Sequence, residues 1–374
     1  MIALHRRLAR DHASPLERLL ILGLAPASWV YHAGFALRQR MHAAGWLRVE
    51  CVDLPVIAIG GLAAGGSGKT PLAAVLATLL AQRGRQPLLV AHGYRSRLGP
   101  DQARLVSRGR EPHALPSVAE VGDEALLLAR LAPTVPVAAA RRRSRALEVA
   151  RAQGVRPDVL ILDGGVLQPR LKLDVGCIAL DASRPPGSGH LLPWGDLRAP
   201  WSALQRVAAV LLHRRELCPD PPAWLAALQR CAPQATVAWS ENRLLAPRPL
   251  SGDETGTIPW QTLRSRRVGL WSALGHPAAF AANLAREGIE PVYHVARRDH
   301  AAVGPRERQR LGMIARRERI EAWLMTEKDA VKWRAAHTAG AGGVGEMWVV
   351  PARVELTSGR AALLERLWDG ILRT

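Results

Sequence analysis

One segment of the sequence combines small residues, a lysine and a hydroxyl in the order that phosphate binding requires. Its eight residues are Ala63, Ala64, Gly65, Gly66, Ser67, Gly68, Lys69 and Thr70. Small residues let backbone N–H groups turn toward phosphate oxygens, and the start of a following helix adds partial positive charge. Lys69 would then reach the β- and γ-phosphates, and Thr70 would bind Mg²⁺. The segment predicts a nucleoside triphosphate site, although Ala63 replaces the usual first glycine.

Carboxylates and a histidine form a second group of candidates. Asp163 ends an apolar run, where a parallel sheet presents groups to its ligand, so we expect it to bind Mg²⁺; a turn or capping role is the alternative. Asp123 and Glu124 lie at a predicted helix start, where the helix dipole alone favours acids. His300 is one of 12 histidines and lies in a polar loop. Local sequence gives no further reason to select these last three residues.

The chain around these candidates alternates short apolar runs with helix-like stretches from residue 55 to about residue 240. This alternation is typical of parallel strands joined by crossover helices. The predicted strands are Val56–Ile59, Leu88–Ala91, Val135–Ala138, Val159–Leu162, Cys177–Leu180 and Val207–Leu212, and the predicted helices are Thr70–Arg83, Val121–Leu131 and Arg142–Gln153. The pattern breaks at residues 242–260 and resumes with strands at Val268–Trp271, Trp323–Thr326 and Met347–Val350. The prediction is an α/β protein with a P-loop NTPase-like doubly wound parallel sheet and a smaller C-terminal α/β domain.

The composition points to an anionic partner. The formal net charge is +19 and the isoelectric point is near 11.3. Nucleic acid, an acidic membrane surface and a phosphorylated substrate all fit that charge. Lysine is rare, because the 51 basic residues include only Lys69, Lys172, Lys328 and Lys332. A lysine that persists in such an arginine-rich chain indicates a site that needs a compact ammonium.

The first 48 residues are predicted to form a membrane-associating helical segment. Their apolar run, Leu19–Tyr31, is interrupted by Pro26 and is shorter than the roughly 20 residues that a spanning helix needs. Aromatic and apolar residues mixed with arginines fit an amphipathic interfacial helix, and a helix simply packed on the domain is the alternative. Asp11 and Glu17 weaken the alternative of a signal peptide. The predicted domains are therefore residues 1–48, a P-loop kinase domain at 49–240 and a C-terminal domain at 241–374.

The four cysteines form no CxxC pair and have no zinc-like spacing with histidine. Neither a disulfide framework nor a metal cluster is therefore expected, and a reducing cytosol fits.

Six motifs, taken in order, resemble the tetraacyldisaccharide 4′-kinase family, and the resemblance covers nearly the whole chain. They are Pro55–Gly60 leading into Gly65–Pro71, Gly122–Glu124, Leu191–Arg198, Gly275–Pro277 with Phe280, Asp299–His300, and Thr326–Lys332. The resemblance implies ATP-dependent, Mg²⁺-assisted phosphorylation of the 4′-hydroxyl of a tetraacyl glucosamine disaccharide 1-phosphate during lipid A synthesis. It also implies a peripheral location on the cytoplasmic face of the inner membrane and no nucleic-acid partner. It leaves the oligomeric state open.

The resemblance also implies roles for single residues. Asp123 and His300 would form the acid–base pair that deprotonates the sugar hydroxyl. An imidazole with a pKa near neutrality suits proton transfer, and a carboxylate can orient it and stabilise the imidazolium. Arg198 would be a cation close to phosphate or substrate.

The sequence departs from the family pattern close to the expected metal site. Asp163 is followed by Gly164 where the family has a second acid, and Gln168 is shifted by one position. Gly61 stands where the family has Asn. With one carboxylate fewer, Glu124 or a water molecule would complete the Mg²⁺ shell.

Two alternative functions fit parts of this pattern. The missing acid fits a weakened paralogue that binds nucleotide or lipid in a regulatory role. The charge fits a basic ATPase acting on nucleic acid, but the sequence lacks an aromatic-rich platform for bases, and its apolar N-terminus favours a membrane.

Overall fold

The computed structural model describes residues 23–63, 66–109, 116–167, 170–185, 189–250, 256–298, 301, 303–337 and 345–372. Packing divides the chain into two compact units. Unit 1 comprises Met1–Leu72, Asp158–Ser240 and Leu356–Thr374, and unit 2 comprises Ala73–Pro157 and Glu241–Glu355. The domain boundaries predicted at residues 48 and 240 follow chain continuity instead of packing, and they stay a prediction.

A sheet forms the centre of unit 1. Its strand order is β14 (Ala352–Ser358), β8 (Thr236–Leu244), β7 (Ala209–His213), β6 (Val175–Asp181), β1 (Val56–Gly61) and β5 (Val159–Asp163). The neighbouring pairs from β8 to β5 are all parallel. β1, β5 and β7 are apolar runs that are almost wholly buried, as expected of strands covered on both faces. Because these strands are parallel, their carboxyl ends share one edge of the sheet.

Helices and short 3₁₀ segments connect or flank the strands of unit 1. They are α1 (Ala25–Ala43), the first turn of α2 (Lys69–Gln82), α6 (Pro221–Cys231) and α11 (Arg360–Leu372), with 3₁₀ segments at Trp201–Arg206 and Arg215–Leu217. α6 begins after Asp220, whose side chain accepts a hydrogen bond from the Ala223 N–H at 2.9 Å. Buried Leu62, Ile178 and Trp224 belong to the apolar cluster that closes one face of the sheet.

The N-terminal half of unit 2 contains β2 (Pro87–Ala91), β3 (Ala103–Arg108) and β4 (Pro136–Ala140). β4 pairs in parallel with β2 and antiparallel with β3. The helices of this part are α3 (Val118–Val121), α4 (Asp123–Leu131) and α5 (Arg143–Ala152). Gly122 separates α3 from α4 because its φ is +86° and a Cβ there would lie 2.9 Å from the Tyr94 carbonyl oxygen.

The C-terminal half of unit 2 has its own sheet. The strands lie in the order β11 (Tyr293–Ala296), β10 (Val268–Ser272), β12 (Ala322–Thr326), β13 (Glu346–Val350) and β9 (Arg248–Pro249). All pairs are parallel except β13 with β9. The helices here are α7 (Trp260–Arg264), α8 (Pro277–Arg286), α9 (Pro305–Glu318) and α10 (Glu327–His337). Trp271 on β10 and Trp333 on α10 form an edge-to-face pair with centroids 5.5 Å apart in the core.

The predicted α/β class, the strand–loop–helix at the phosphate segment and the second α/β sheet are confirmed. Every predicted strand matches an observed one. The single helix predicted at Val121–Leu131 is wrong at its start, because Gly122 divides it. Five strands were not predicted, because their polar and half-exposed residues give little apolar signal: β3, β8, β9, β11 and β14.

We expect Trp271→Ala to lower the stability of unit 2 by about 3–5 kcal/mol, because it opens a cavity in the core and removes the edge-to-face contact with Trp333. Thermal unfolding of the purified protein measures the loss. Trp46→Ala is the matched control, because Trp46 is 77% exposed. Equal melting temperatures for the two variants would contradict the assignment of Trp271 to the core.

Candidate nucleotide-binding and catalytic site

The phosphate segment lies at the carboxyl edge of the unit 1 sheet. It leaves β1 and enters α2 at Lys69, and the described residues on the way are Ala63 and 66–68. Gly66 and Gly68 have φ values of +79° and +81°, which turn the backbone as a phosphate loop requires. Ala64 and Gly65, also predicted to bind nucleotide, lie outside the described residues. The start of α2 adds positive dipole charge.

Asp163 meets the first turn of α2 from the end of β5. The register pairs Asp163 with Ile59 on β1, which brings its carboxylate beside the loop. Thr70 donates its hydroxyl to Asp163 Oδ2 at 2.7 Å, and Lys69 Nζ lies 3.9 Å from Oδ1. The Asp163 side chain is fully buried, whereas that of Lys69 is 26% exposed. A hydroxyl and a carboxylate on adjacent elements are hard oxygen donors of the kind that Mg²⁺ prefers.

A buried histidine lies directly beneath the loop. A Cβ on Gly68 would come within 2.3 Å of the His213 ring, so only glycine fits against it. Ser240 Oγ donates to the Leu212 carbonyl at 3.5 Å and lies 3.0 Å from His213 Nδ1, from which it can therefore accept. Burial lowers the pKa of His213 from 6.5 to about 3; nearby Arg214 also lowers it, and Asp181 opposes the shift. His213 is thus a neutral support for the loop.

Arg214 connects the loop to β6. It has left-handed backbone geometry, with φ +67°, directly after β7. Its guanidinium donates to the Gly66 carbonyl at 2.7 Å and pairs with Asp181 Oδ2 at 2.6 Å. The side chains of this pair are 12% and 10% exposed. Sequence reasoning did not select His213, Arg214 or Asp181, and the only signal was their place at predicted strand ends.

Arg198 has an exposed side chain, and its backbone forms hydrogen bonds with α1 and with Leu62, which directly precedes the phosphate segment. The Arg198 N–H donates to the Leu62 carbonyl at 2.8 Å, and Tyr31 of α1 donates its hydroxyl to the Arg198 carbonyl at 2.9 Å. Gly195 permits this turn, because a Cβ there would lie 1.9 Å from the His190 carbonyl oxygen. Arg198 therefore presents a cation to solvent between α1 and the phosphate loop.

α1 has one packed face and one exposed apolar face. The packed face carries Ser28, Tyr31, Phe35 and Gln39, and three of these donate to carbonyl groups of unit 1. The opposite face exposes Trp29 (71%), Val30 (74%) and Leu37 (58%), and Trp46 follows at 77%. No helix in the described part of the chain is long and apolar enough to span a membrane.

In unit 2, Asp123 is the first residue of α4 and is buried. Its Oδ2 lies 4.0 Å from Lys332 Nζ on α10, and that ammonium lies 3.3 Å from Asp329 Oδ1. Asp329 also accepts hydrogen bonds from the Thr326 hydroxyl at 2.9 Å and the Ala273 N–H at 3.2 Å. Burial raises the pKa of Asp329, and Lys332 together with the two hydrogen bonds opposes that rise. Glu124, the alternative Mg²⁺ ligand, follows Asp123 and is half-buried.

His300 lies outside the described residues, but the residue three positions before it is firmly held. Arg297 donates its Nε to Glu307 Oε1 at 2.7 Å and makes a second contact through Nη2, while Trp271 Nε1 donates to Oε1 at 2.9 Å. Burial alone would raise the pKa of Glu307, but the bonds from Arg297 and Trp271 lower it. The Arg297 N–H donates to the Ser272 carbonyl at 2.7 Å.

Comparison with known proteins identifies the family. The family model described as tetraacyldisaccharide-1-P 4′-kinase matches residues 20–371. The chain belongs to this family. The tetraacyldisaccharide 4′-kinase of Anaeromyxobacter dehalogenans (strain 2CP-1) is 37% identical over 369 residues, which cover 97% of this chain and 93% of the relative. That of Geobacter metallireducens is 34% identical over 317 residues, which cover 85% and 90%.

The fold agrees with a solved structure of the same family. LpxK from Aquifex aeolicus, crystallised in complex with ATP, superposes with a TM-score of 0.70 at 24% identity over 94% of this chain and 99% of that one. The family membership makes this protein an ATP-dependent kinase that phosphorylates the 4′-hydroxyl of the tetraacyl disaccharide 1-phosphate in lipid A biosynthesis. The predicted family, fold class and activity are confirmed.

We expect acid to destabilise unit 1 through His213. Its pKa is about 3 when folded and 6.5 in the reference state, so the unfolded chain binds more protons between these values and stability falls as pH falls. From pH 7.5 to pH 5.0 this single group accounts for about 2 kcal/mol. Melting temperatures of wild type and His213→Gln at both pH values measure it. A variant with an unchanged acid-induced drop would show that other groups cause it.

Proposed function

We propose that the phosphate loop of unit 1 binds the ATP phosphates, with Lys69 as the cation at the β- and γ-phosphates. The residues from Ala63 to Thr70 would supply backbone N–H groups. Three observations support this assignment: the positive φ values of Gly66 and Gly68, the packing of His213 against Gly68, and the ion pair of Lys69 with Asp163. The Lys69 side chain is 26% exposed, so an incoming phosphate would reach its ammonium.

Mg²⁺ fits the oxygen donors beside Lys69. Thr70 and Asp163 would hold the ion. When bound, Mg²⁺ would neutralise charge on the β- and γ-phosphate oxygens. Asp163 would meanwhile orient the Thr70 hydroxyl through the hydrogen bond between them.

For proton transfer, we assign His300 as the base and Asp123 as the carboxylate that orients the imidazole and stabilises its protonated form. Two observations support Asp123. It is buried at the start of α4, and a lysine ammonium lies beside its carboxylate. On the described side of the pair, Ala273 donates to Asp329 and directly follows Ser272, whose carbonyl accepts from the Arg297 N–H.

The exposed face of α1 would dock the kinase on a membrane that holds its lipid substrate. Trp29, Val30 and Leu37 form an apolar stripe at helical spacing, and Arg40 is exposed on the same helix. A helix of this kind buries its apolar face among lipid headgroups and is attracted to anionic lipids. Tyr31 ties α1 to Arg198, whose cation would then contact a substrate phosphate close to the bilayer. The location that follows is peripheral, on the cytoplasmic face of the inner membrane, where ATP is present.

We expect Lys69→Ala to reduce phosphoryl transfer from ATP to the tetraacyl disaccharide 1-phosphate by at least about 100-fold, because a cation that acts on transition-state charge is lost. Lys172→Ala is the matched control, since Lys172 is exposed. Thin-layer separation of radiolabelled product measures the rate. A folded Lys69→Ala variant with the rate of the control would reject the loop assignment. A wild type that binds ATP but transfers nothing would favour the weakened paralogue.

We expect the variant Trp29→Gln/Leu37→Gln to bind vesicles with 30% anionic lipid much more weakly and to raise KM for the lipid while leaving KM for ATP unchanged. Removal of apolar side chains weakens interfacial binding, whereas the nucleotide site is untouched. Leu225→Gln/Met313→Gln is the matched control, because these apolar side chains are also exposed, at 48% and 55%, but lie on other helices. If the same fraction of both variants floats with the vesicles, the proposal that α1 docks on the membrane is wrong.

A further inference from the structure

The motif Thr326–Lys332 has no part in the roles assigned so far. Its last residue, Lys332, places a cation beside the Asp123 carboxylate. Lys332 Nζ lies between two buried carboxylates, at 3.3 Å from Asp329 and 4.0 Å from Asp123. The Lys332 side chain is only 7% exposed. An ammonium buried to this extent is costly unless carboxylates compensate it, so its place in the fold is tightly determined.

Asp329 is itself held in place, so it can act as the fixed support of Lys332. It lies three residues before Lys332 on α10, which puts the two side chains on the same face of the helix. Its Oδ2 accepts from the Thr326 hydroxyl and its Oδ1 from the Ala273 N–H, and Thr326 Oγ1 in turn accepts from the Asp329 N–H at 3.3 Å. α10 packs against α4, the helix that carries Asp123. Lys332 thus connects the Asp123 carboxylate to Asp329, which is held at the start of α10.

The identity of the residue agrees with this role. The chain uses lysine at only four of its 51 basic positions. A guanidinium is wider and planar and favours bidentate pairing with one carboxylate, whereas an ammonium donates in three directions and can lie between two. The site between Asp329 and Asp123 calls for the second geometry.

We propose that Lys332 is a positioning residue of the kinase: held by Asp329, it fixes the Asp123 carboxylate in the orientation that proton transfer needs. The role rests on the function proposed above for Asp123. This role acts through Asp123 and requires no contact of Lys332 with ATP or lipid, so loss of the ammonium would change the rate of the chemical step and leave substrate binding intact. Displacement of a catalytic group by about 1 Å reduces rate by roughly 100-fold.

The test compares kcat and both KM values for Lys332→Met, Lys332→Arg and Asp123→Asn. We expect Lys332→Met to lower kcat roughly 100-fold with both KM values within about threefold of wild type. Lys332→Arg keeps the charge and should recover part of the loss. Lys328→Met on the same helix is the matched control and should keep kcat within about threefold.

Coupling to Asp123 separates positioning from a general structural role. We expect Asp123→Asn/Lys332→Met to be at most about threefold slower than Asp123→Asn alone, because residues of one unit are not additive. Losses that multiply, or a folded Lys332→Met variant with wild-type kcat, would overturn the inference. If Asp123→Asn keeps wild-type kcat, the proposed role of Asp123 is wrong. If Asp123→Asn loses activity but Lys332→Met keeps wild-type kcat, the role of Asp123 stands and the positioning role of Lys332 is wrong.

Lys332→Met leaves two buried carboxylates without their shared ammonium and can therefore fail to fold. In that case Asp329→Asn/Lys332→Met replaces it, since neutral exchange of a buried pair is far better tolerated than removal of one partner. The same loss of kcat with unchanged KM values is expected. Melting temperature and ATP binding confirm folding, and a folded double variant with wild-type kcat would overturn the inference.

Discussion

The hydrogen bond from Thr70 to Asp163 is the contact on which the proposed nucleotide site of unit 1 depends. It joins the end of β5 to the first turn of α2, and β1 lies beside β5 with Ile59 opposite Asp163. A parallel sheet brings such strand ends to one edge, but only a contact of this kind fixes the helix start relative to them. The first turn of α2 and the ammonium of Lys69 thereby lie beside the Asp163 carboxylate.

The two units support their candidate site residues in different ways. In unit 1 the loop rests on an uncharged group, because burial keeps His213 neutral, and the nearby charges of Arg214 and Asp181 neutralise each other. In unit 2 the ammonium of Lys332 lies among carboxylates within the fold. A neutral support costs little to bury, whereas an ion pair imposes direction on Asp123.

The sequence predicted the elements that carry strong local signals. β1, β5 and β7 are continuous apolar runs, and the Gly-Lys-Thr segment marks both a strand end and a helix start. It could not predict His213 or Arg214, because their partners, Gly68 and Asp181, are distant in the chain and no local pattern links them. The rarity of lysine was the one compositional signal that pointed to Lys332, although no local pattern indicated its partners. Arg198 and Asp123 were found only through resemblance to a family.

The departures from the family pattern near Asp163 have local physical reasons. Gly164 has a φ of +93° and donates its N–H to the Ile59 carbonyl, so an aspartate introduced there would be strained and would not restore a second ligand by substitution alone. Gly61 would, with a side chain, place Cβ 2.5 Å from Ser67 Oγ. Backbone conformation therefore favours glycine at position 164, and the close approach of Ser67 favours it at position 61. In this chain a Mg²⁺ site would depend on Asp163 more than in a relative with two acids, because hard cations bind more weakly as charged oxygen ligands are lost.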